Sequence, residues 1–95
     1  MEELKCVHIF VEGRVQGVGF RYFVKKAAEE NNLTGWVRNL YDDRVEILAQ
    51  GEESQVNKFI AIVRTGPGSA LVSKLETNWL KPDNRINRFS IAASL

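Results

Sequence analysis

Two segments with the hydrophobic spacing of a helix lie between segments with the spacing of a strand, and this order leaves few folds open. In the first helical segment apolar residues recur at i, i+3, i+4, i+7 and i+8: Phe20, Phe23, Val24, Ala27 and Ala28. The second has one apolar stripe, formed by Val56, Phe59, Ile60 and Val63. We expect it to begin within residues 51–54, where acidic residues suit a helix N-terminus, and to end at Gly66.

Strand spacing predicts the remaining elements. In residues 5–12 the all-aliphatic face is the candidate core face and holds Val7, Ile9 and Val11, whereas the other face holds Cys6, His8 and Phe10. Residues 34–39 and 44–50 are predicted as two strands around a turn, followed by strands within residues 70–81 and 89–93. The order is βαββαβ with an extra C-terminal strand. Because two helices cover only one face of such a sheet, the sequence predicts an α+β, ferredoxin-like sandwich with an antiparallel sheet.

Length and charge narrow the class of protein. Ninety-five residues suffice for one domain, which we expect to span residues 1–95, and a net charge of +1 gives no global attraction for nucleic acid or a membrane surface. One cysteine excludes an intramolecular disulfide, and one His with one Cys gives no zinc spacing. The N-terminus lacks the order of a signal peptide. We therefore expect a cytoplasmic protein, and a monomer, since no long apolar surface stripe demands a partner.

The segment Gly13-Arg14-Val15-Gln16-Gly17-Val18-Gly19, the glycine loop, joins the first strand to the first helix. Backbone N–H groups at a helix N-terminus lack partners, and glycines allow successive N–H groups to surround an anion. A tight βα turn that needs small residues is the alternative. The loop lacks the Lys-Ser/Thr pair of a nucleotide P-loop and the third glycine of a dinucleotide fingerprint. Arg21, in the first helical turn, favours an anion there because a cation alone would oppose the helix dipole.

The residues from Gly13 to Arg21 resemble the first signature of the acylphosphatase family, G-x-V-Q-G-V-x-[FY]-R. Gly35-Trp36-Val37-Arg38-Asn39, followed by Val45 and Gly51, resembles the second signature of that family. One position departs from it: Asp43 stands where the family has a glycine in the turn. Since that glycine suggests a positive φ, we expect a modest loss of stability or a rearranged turn.

The resemblance implies the site and the reaction. The backbone N–H groups of Val15, Gln16, Gly17, Val18 and Gly19 would bind the phosphoryl group, Arg21 would bind its oxygens, and Asn39 would orient the attacking water. The implied substrate is a small acyl phosphate such as acetyl phosphate, carbamoyl phosphate or 1,3-bisphosphoglycerate, and no side-chain pattern chooses between them. Inorganic phosphate would be product and inhibitor. No metal, cofactor or covalent intermediate is implied. Because an amide is no base near neutral pH, we expect the substrate phosphate to take the proton of the water.

Several other residues are predicted to have structural roles, and two other functions stay open. His8 is expected as a strand residue without a catalytic role, Cys6 as a partly buried small hydrophobe, and Trp36 and Trp79 as packing residues. Tyr22 and Tyr41 flank the predicted site in sequence. RNA-recognition modules share the βαββαβ order, but residues 44–50 lack the aromatic that stacks bases. A non-catalytic regulatory module that keeps the loop is the second alternative, and the presence of both Arg21 and Asn39 favours an enzyme.

Overall fold

The computed structural model describes residues 3–95, which form five strands and two helices. Their bounds, in chain order, are β1 Leu4–Arg14, α1 Phe20–Glu30, β2 Thr34–Asn39, β3 Val45–Glu52, α2 Glu53–Thr65, β4 Leu71–Leu80 and β5 Phe89–Ile91. The predicted order is confirmed. Two residues assigned from the sequence to the start of the second helix, Gly51 and Glu52, instead extend β3, because they pair with Lys5 and Leu4 of β1.

The strands form one sheet in the order β4-β1-β3-β2-β5. Antiparallel pairing joins β1 to β3, β1 to β4 and β2 to β3. The short β5 pairs parallel with β2, so the sheet is mixed where the sequence predicted antiparallel pairing throughout. The ferredoxin-like sandwich, with both helices on one face, is confirmed. Within residues 3–95 no helix is both long and apolar enough to cross a membrane.

The core lies between the helices and the predicted aliphatic face of β1. Val7, Ile9 and Val11 are fully buried and stand opposite Ala49, Ile47 and Val45 of β3. The helices contribute a matching set of buried side chains, namely Phe20, Val24, Ala27, Ala28, Val56, Phe59 and Val63. Because β1 and β3 form the middle of the sheet, this core fixes the ends of the strands from which the glycine loop and Asn39 emerge.

The face of the sheet away from the helices, the open face, carries a polar cluster. The Glu46 carboxylate accepts hydrogen bonds from Arg38 Nε at 2.6 Å and from His8 Nε2 at 2.7 Å. The Arg38 guanidinium also lies 4.7 Å from the centre of the Trp36 ring, and that of Arg44 lies 4.4 Å from the centre of the Phe10 ring. Side chains of the sheet itself therefore cover much of a surface that no helix covers.

Three expectations for single residues have different outcomes. Trp36 is half-buried and packs against Arg38, as expected for a packing residue. Trp79 is 52% exposed, because it lies on the edge strand β4, and its expected packing role is wrong. Cys6 is more buried than expected, at 2% exposure, since it lies between Gln50 of β3 and Leu80 of β4. Burial raises the pKa of its thiol, and the nearby Asp83 carboxylate adds to the effect.

Candidate active site

The glycine loop presents a series of free backbone donors ahead of α1. Gly17 and Gly19 have φ values of 72° and 75°, and Gly19 occupies the N-cap position of α1 without a side-chain cap. In the described part of the chain, the N–H groups of residues 15–21 donate to no protein acceptor. The first turn of α1 also contains no acidic residue. Because unsatisfied donors and the positive end of a helix dipole coincide here, an anion is the ligand that this backbone favours.

A cavity of about 220 Å³ brings the two predicted parts of the site together. It is lined by Val15, Gly17, Gly19, Phe20, Arg21, Tyr22, Asn39 and Ile91. Arg21 lies at the second position of α1 and forms no ion pair with any residue from 3 to 95. Its guanidinium is thus available to an anion. A larger cavity, of about 640 Å³, lies at the other end of β2 and β3, beside Thr34 and Gln50, and contains none of the predicted site residues.

Asn39 enters this cavity from the last position of β2, opposite Val45. Its backbone is held, since its carbonyl accepts a hydrogen bond of 3.0 Å from the Leu95 N–H. Its side-chain Oδ1 atom is buried and has no hydrogen-bond partner among residues 3–95. A buried acceptor without a protein partner is uncommon, and this one is open to a hydrogen bond from a ligand or water. Such an atom accepts a hydrogen bond from water, as the predicted role requires.

Residues 40–44, the 40–44 turn, follow Asn39 directly. The turn is closed by hydrogen bonds from the Leu40 N–H to the Arg44 carbonyl, at 2.8 Å, and from the Asp43 N–H to the Leu40 carbonyl, at 3.2 Å. Asp43 has a φ of 74°, the backbone conformation that its family glycine suggested. The carboxylate of Asp42 accepts the Arg44 N–H and side chain, and the backbone bond in particular holds the pKa of Asp42 below its ordinary value.

Two predicted loop residues do not line the cavity with their side chains. The Gln16 amide instead contacts the 40–44 turn, donating to the carbonyls of Leu40 and Arg44. The Val18 side chain packs against the core, and its carbonyl accepts a hydrogen bond from Ser69 Oγ at 3.0 Å. Their predicted contribution needs only their backbone N–H groups, which donate to no acceptor within residues 3–95.

Other residues near the site in sequence are placed differently by the fold. Tyr22 lines the cavity, whereas Tyr41 is 85% exposed and does not. Ile91 of β5 lines it although the sequence offered no signal, because only the parallel pairing of β5 with β2 brings it there. His8 has Glu46 as its partner on the open face, and it is not among the residues that line the cavity.

The chain is similar to known acylphosphatases in both sequence and fold. The acylphosphatase family model matches residues 7–91. An acylphosphatase of Geobacillus thermodenitrificans (strain NG80-2) is 46% identical over 94 residues, which cover 97% of this chain and all of that protein. The crystal structure of acylphosphatase from Bacillus subtilis is similar with a TM-score of 0.89 at 42% identity, covering 95% of this chain and 99% of that one. Full-length HypF contains a similar region, with a TM-score of 0.90 at 28% identity, that covers 99% of this chain and 12% of HypF.

Proposed function

This chain belongs to the acylphosphatase family and hydrolyses acyl phosphates, and we propose that it does so without a metal, by direct attack of water on a phosphoryl group held in the 220 Å³ cavity. The backbone N–H groups of residues 15–19 and the guanidinium of Arg21 hold the phosphoryl oxygens, and Asn39 orients the water. The proposal rests on one observation. Free backbone N–H groups, the Arg21 guanidinium and the Asn39 Oδ1 atom, which has no partner among residues 3–95, surround the same cavity.

The chemistry asks the protein mainly for positioning and for stabilisation of negative charge. The carboxylate of an acyl phosphate is a good leaving group, so no residue has to form a covalent intermediate. Donors fixed in a backbone need no reorganisation during the reaction, and the loss of one such donor costs about 2.7–4 kcal/mol in other enzymes. The Arg21 fork matches two oxygens of the phosphoryl group. The glycine loop and α1 therefore stabilise charge while β2 supplies the amide.

The proton of the attacking water goes to the substrate phosphate in this proposal. Of the eight described residues that line the cavity, none carries a carboxylate or an imidazole. The Asn39 amide accepts a hydrogen bond but does not take a proton near neutral pH. Neutralising Asp42, Asp43 or Glu12 singly is thus expected to remove no step from the pH-rate profile, and loss of a step in any one of these variants contradicts this route.

The test is hydrolysis of benzoyl phosphate in the presence of EDTA, with Arg21→Ala and Asn39→Ala measured beside the wild type. We expect turnover to fall by about 100- to 1,000-fold or more in each variant, on oxyanion-hole precedent. Phosphate should stabilise the wild type and Asn39→Ala against heat, because it binds the folded state, but should not stabilise Arg21→Ala. The matched controls are Arg64→Ala and Asn57→Ala on the exposed side of α2. Equal loss of phosphate stabilisation in both site variants contradicts the division of roles.

We also propose that the chain acts as a monomer in the cytoplasm and that residues 1–95 form one acylphosphatase-like domain. The pairing of edge strand β4 with β1 skips one residue of β4, since consecutive residues of β1 stand opposite Lys74 and Val72. The strand also carries two charged side chains, Lys74 and Glu76. Bulges and charges on an edge oppose pairing with another sheet. The free Cys6 thiol suits a reducing compartment. Arginine side chains cover the Phe10 and Trp36 rings, which argues against stacking of nucleic-acid bases there.

A further inference from the structure

The Gln16 side chain links the two halves of the site. Its Nε2 atom donates hydrogen bonds to the Leu40 carbonyl at 2.8 Å and to the Arg44 carbonyl at 2.9 Å. These carbonyls belong to the two ends of the 40–44 turn, which the Leu40 N–H closes onto Arg44 at 2.8 Å. An amide nitrogen has two hydrogens, so both are used. We refer to this pair of hydrogen bonds as the Gln16 clamp.

We propose that Gln16 is a positioning residue, whose clamp sets the separation between the bound phosphoryl group and the water held by Asn39. This inference rests on the proposed function and deepens it. Gln16 lies within the backbone segment that holds the phosphoryl group, and Leu40 follows Asn39 directly. The clamp thus joins the phosphate-holding segment to the water-orienting residue through one side chain.

Within residues 3–95, the two bonds of the Gln16 clamp are the hydrogen bonds that join the glycine loop to the 40–44 turn. The glycine loop continues from β1 and Asn39 ends β2, and β3 lies between those two strands in the sheet. Val11 of β1 pairs with Val45 of β3, and Val45 pairs in turn with Asn39 of β2. The ends of β1 and β2 therefore lie two strand spacings apart. Both the loop and the turn extend beyond those pairs. Because they are not paired strands, the clamp is the hydrogen-bonded link that resists a shift of one relative to the other, while the Tyr41 N–H anchors the turn separately to the Leu95 carbonyl at 2.8 Å.

Turnover should depend on the clamp more than phosphate binding does. The N–H donors and Arg21 belong to the glycine loop and α1, which remain when the Gln16 amide is removed. The water-orienting amide belongs to the other segment. Because a misplacement of about 1 Å can reduce a rate by about 100-fold, a small drift of the 40–44 turn would reduce kcat while leaving the phosphate receptor intact.

The chain offers a matched control in Gln50. The Gln50 Nε2 atom donates to the Asp83 carbonyl at 2.6 Å, and the Asp83 N–H donates to Gln50 Oε1 at 2.9 Å. This glutamine also fastens a loop with two hydrogen bonds, but at the end of β3 remote from Val45 and Asn39. A loss of activity that came only from weaker folding would therefore occur in variants of both glutamines.

The experiment compares Gln16→Met with Gln50→Met, since methionine keeps the length of the side chain and removes the amide. We expect Gln16→Met to lower kcat for benzoyl phosphate by about ten- to 100-fold. The affinity of Gln16→Met for inorganic phosphate, measured by thermal titration, should stay within about threefold of the wild-type value. The kcat of Gln50→Met should stay within about twofold of the wild-type value. Both are small effects, since a tenfold change corresponds to 1.4 kcal/mol. Gln16→Ala is the second variant and should show the same split. Unchanged kcat in both Gln16 variants, or a parallel fall in kcat and phosphate affinity, overturns the proposal.

A double substitution separates this inference from the function on which it rests. If Gln16 acts through Asn39, Gln16→Met causes no further loss in the residual activity of Asn39→Ala. A further loss equal to that seen in the wild-type background overturns the positioning role. If Asn39→Ala turns over substrate as fast as the wild type, the proposed function is refuted. If Asn39→Ala is inactive but Gln16→Met is fully active, only the positioning role of the Gln16 clamp is refuted.

Discussion

Neutralising Glu46 tests how much stability the polar cluster of the open face contributes. The Glu46 side chain is 10% exposed and accepts hydrogen bonds from Arg38 Nε and His8 Nε2. In Glu46→Gln the shape of the side chain is kept and the charge is lost. One carboxylate oxygen becomes an amide NH2 group, which donates and does not accept, so the Arg38 bond is kept as a neutral one and the bond to His8 Nε2 is kept only with that ring nitrogen as the acceptor. The substitution thus removes the charged character of both contacts without creating a cavity.

The expected cost follows from the two bonds. A hydrogen bond to a charged group contributes about 1.5–3 kcal/mol and a neutral one about 0.5–1.5 kcal/mol, so each bond loses about 1 kcal/mol on neutralisation. We expect Glu46→Gln to lower the free energy of unfolding by about 2 kcal/mol at pH 7. For a domain of this size that corresponds to a Tm lower by roughly 8–16 °C.

The same carboxylate should make the stability of the wild type depend on acid. Burial raises the pKa of Glu46, but the hydrogen bonds from Arg38 and His8 together outweigh it and hold that pKa below the ordinary value. A carboxylate with a lowered folded-state pKa stabilises the fold above its unfolded-state pKa, and this contribution is lost as the pH falls through the folded-state value. The difference between wild type and Glu46→Gln should accordingly shrink below about pH 4.

Urea unfolding at pH 7 and at acid pH measures both effects. The matched control is Glu76→Gln, because Glu76 is an exposed carboxylate of β4 on the same face of the sheet, opposite Phe10. We expect this control to change stability by less than about 0.5 kcal/mol. The reasoning is refuted if Glu46→Gln costs no more than the control, or if its cost persists undiminished at low pH.

Three further predictions concern backbone strain and burial. Asp43→Gly should raise the free energy of unfolding by up to about 1 kcal/mol in urea titrations, because Asp43 has a φ of 74°, and a lower value would contradict this. Gly13→Ala should destabilise the protein more than Gly19→Ala, because a Cβ at Gly13 would overlap the Leu71 carbonyl oxygen. At Gly19 nothing lies within 4 Å of an added Cβ, and the cost is backbone strain of about 1–2 kcal/mol. Equal costs in the two variants would count against that ordering. The Cys6 thiol should react with a thiol reagent only after unfolding, because it is buried and burial raises its pKa, and rapid labelling of the native protein would disprove this.

Local periodicity was sufficient to predict the helices and the faces of β1. The first helix begins at Phe20, and Val7, Ile9 and Val11 face the core, because each depends only on near neighbours in the chain. The family signatures likewise lie in two short segments, so Arg21 and Asn39 were predicted without knowledge of the fold. Both line the same cavity.

What the sequence did not predict depends on which residues the sheet brings opposite one another. The alternation of side chains along β1 predicts that His8 lies on the open face. It does not predict that Glu46 and Arg38 lie beside His8, because that depends on the register of three strands. The edge position of β4, which exposes Trp79, depends on strand order. The Gln16 clamp joins residues 24 and 28 positions apart, and no spacing rule applies at that range.

The position of β3 between β1 and β2 has a consequence for how the chain becomes active after synthesis. Residues 45–52 come later in the chain than both segments that they separate, so Asn39 and the glycine loop reach their places only after this third strand has docked against each neighbour. The pairing of β3 with β1 is non-local, and it slows folding because loop-closure entropy is lost before contacts are gained. Recovery of enzymatic turnover during refolding should therefore lag behind the far-ultraviolet signal of the helices and report completion of the central sheet.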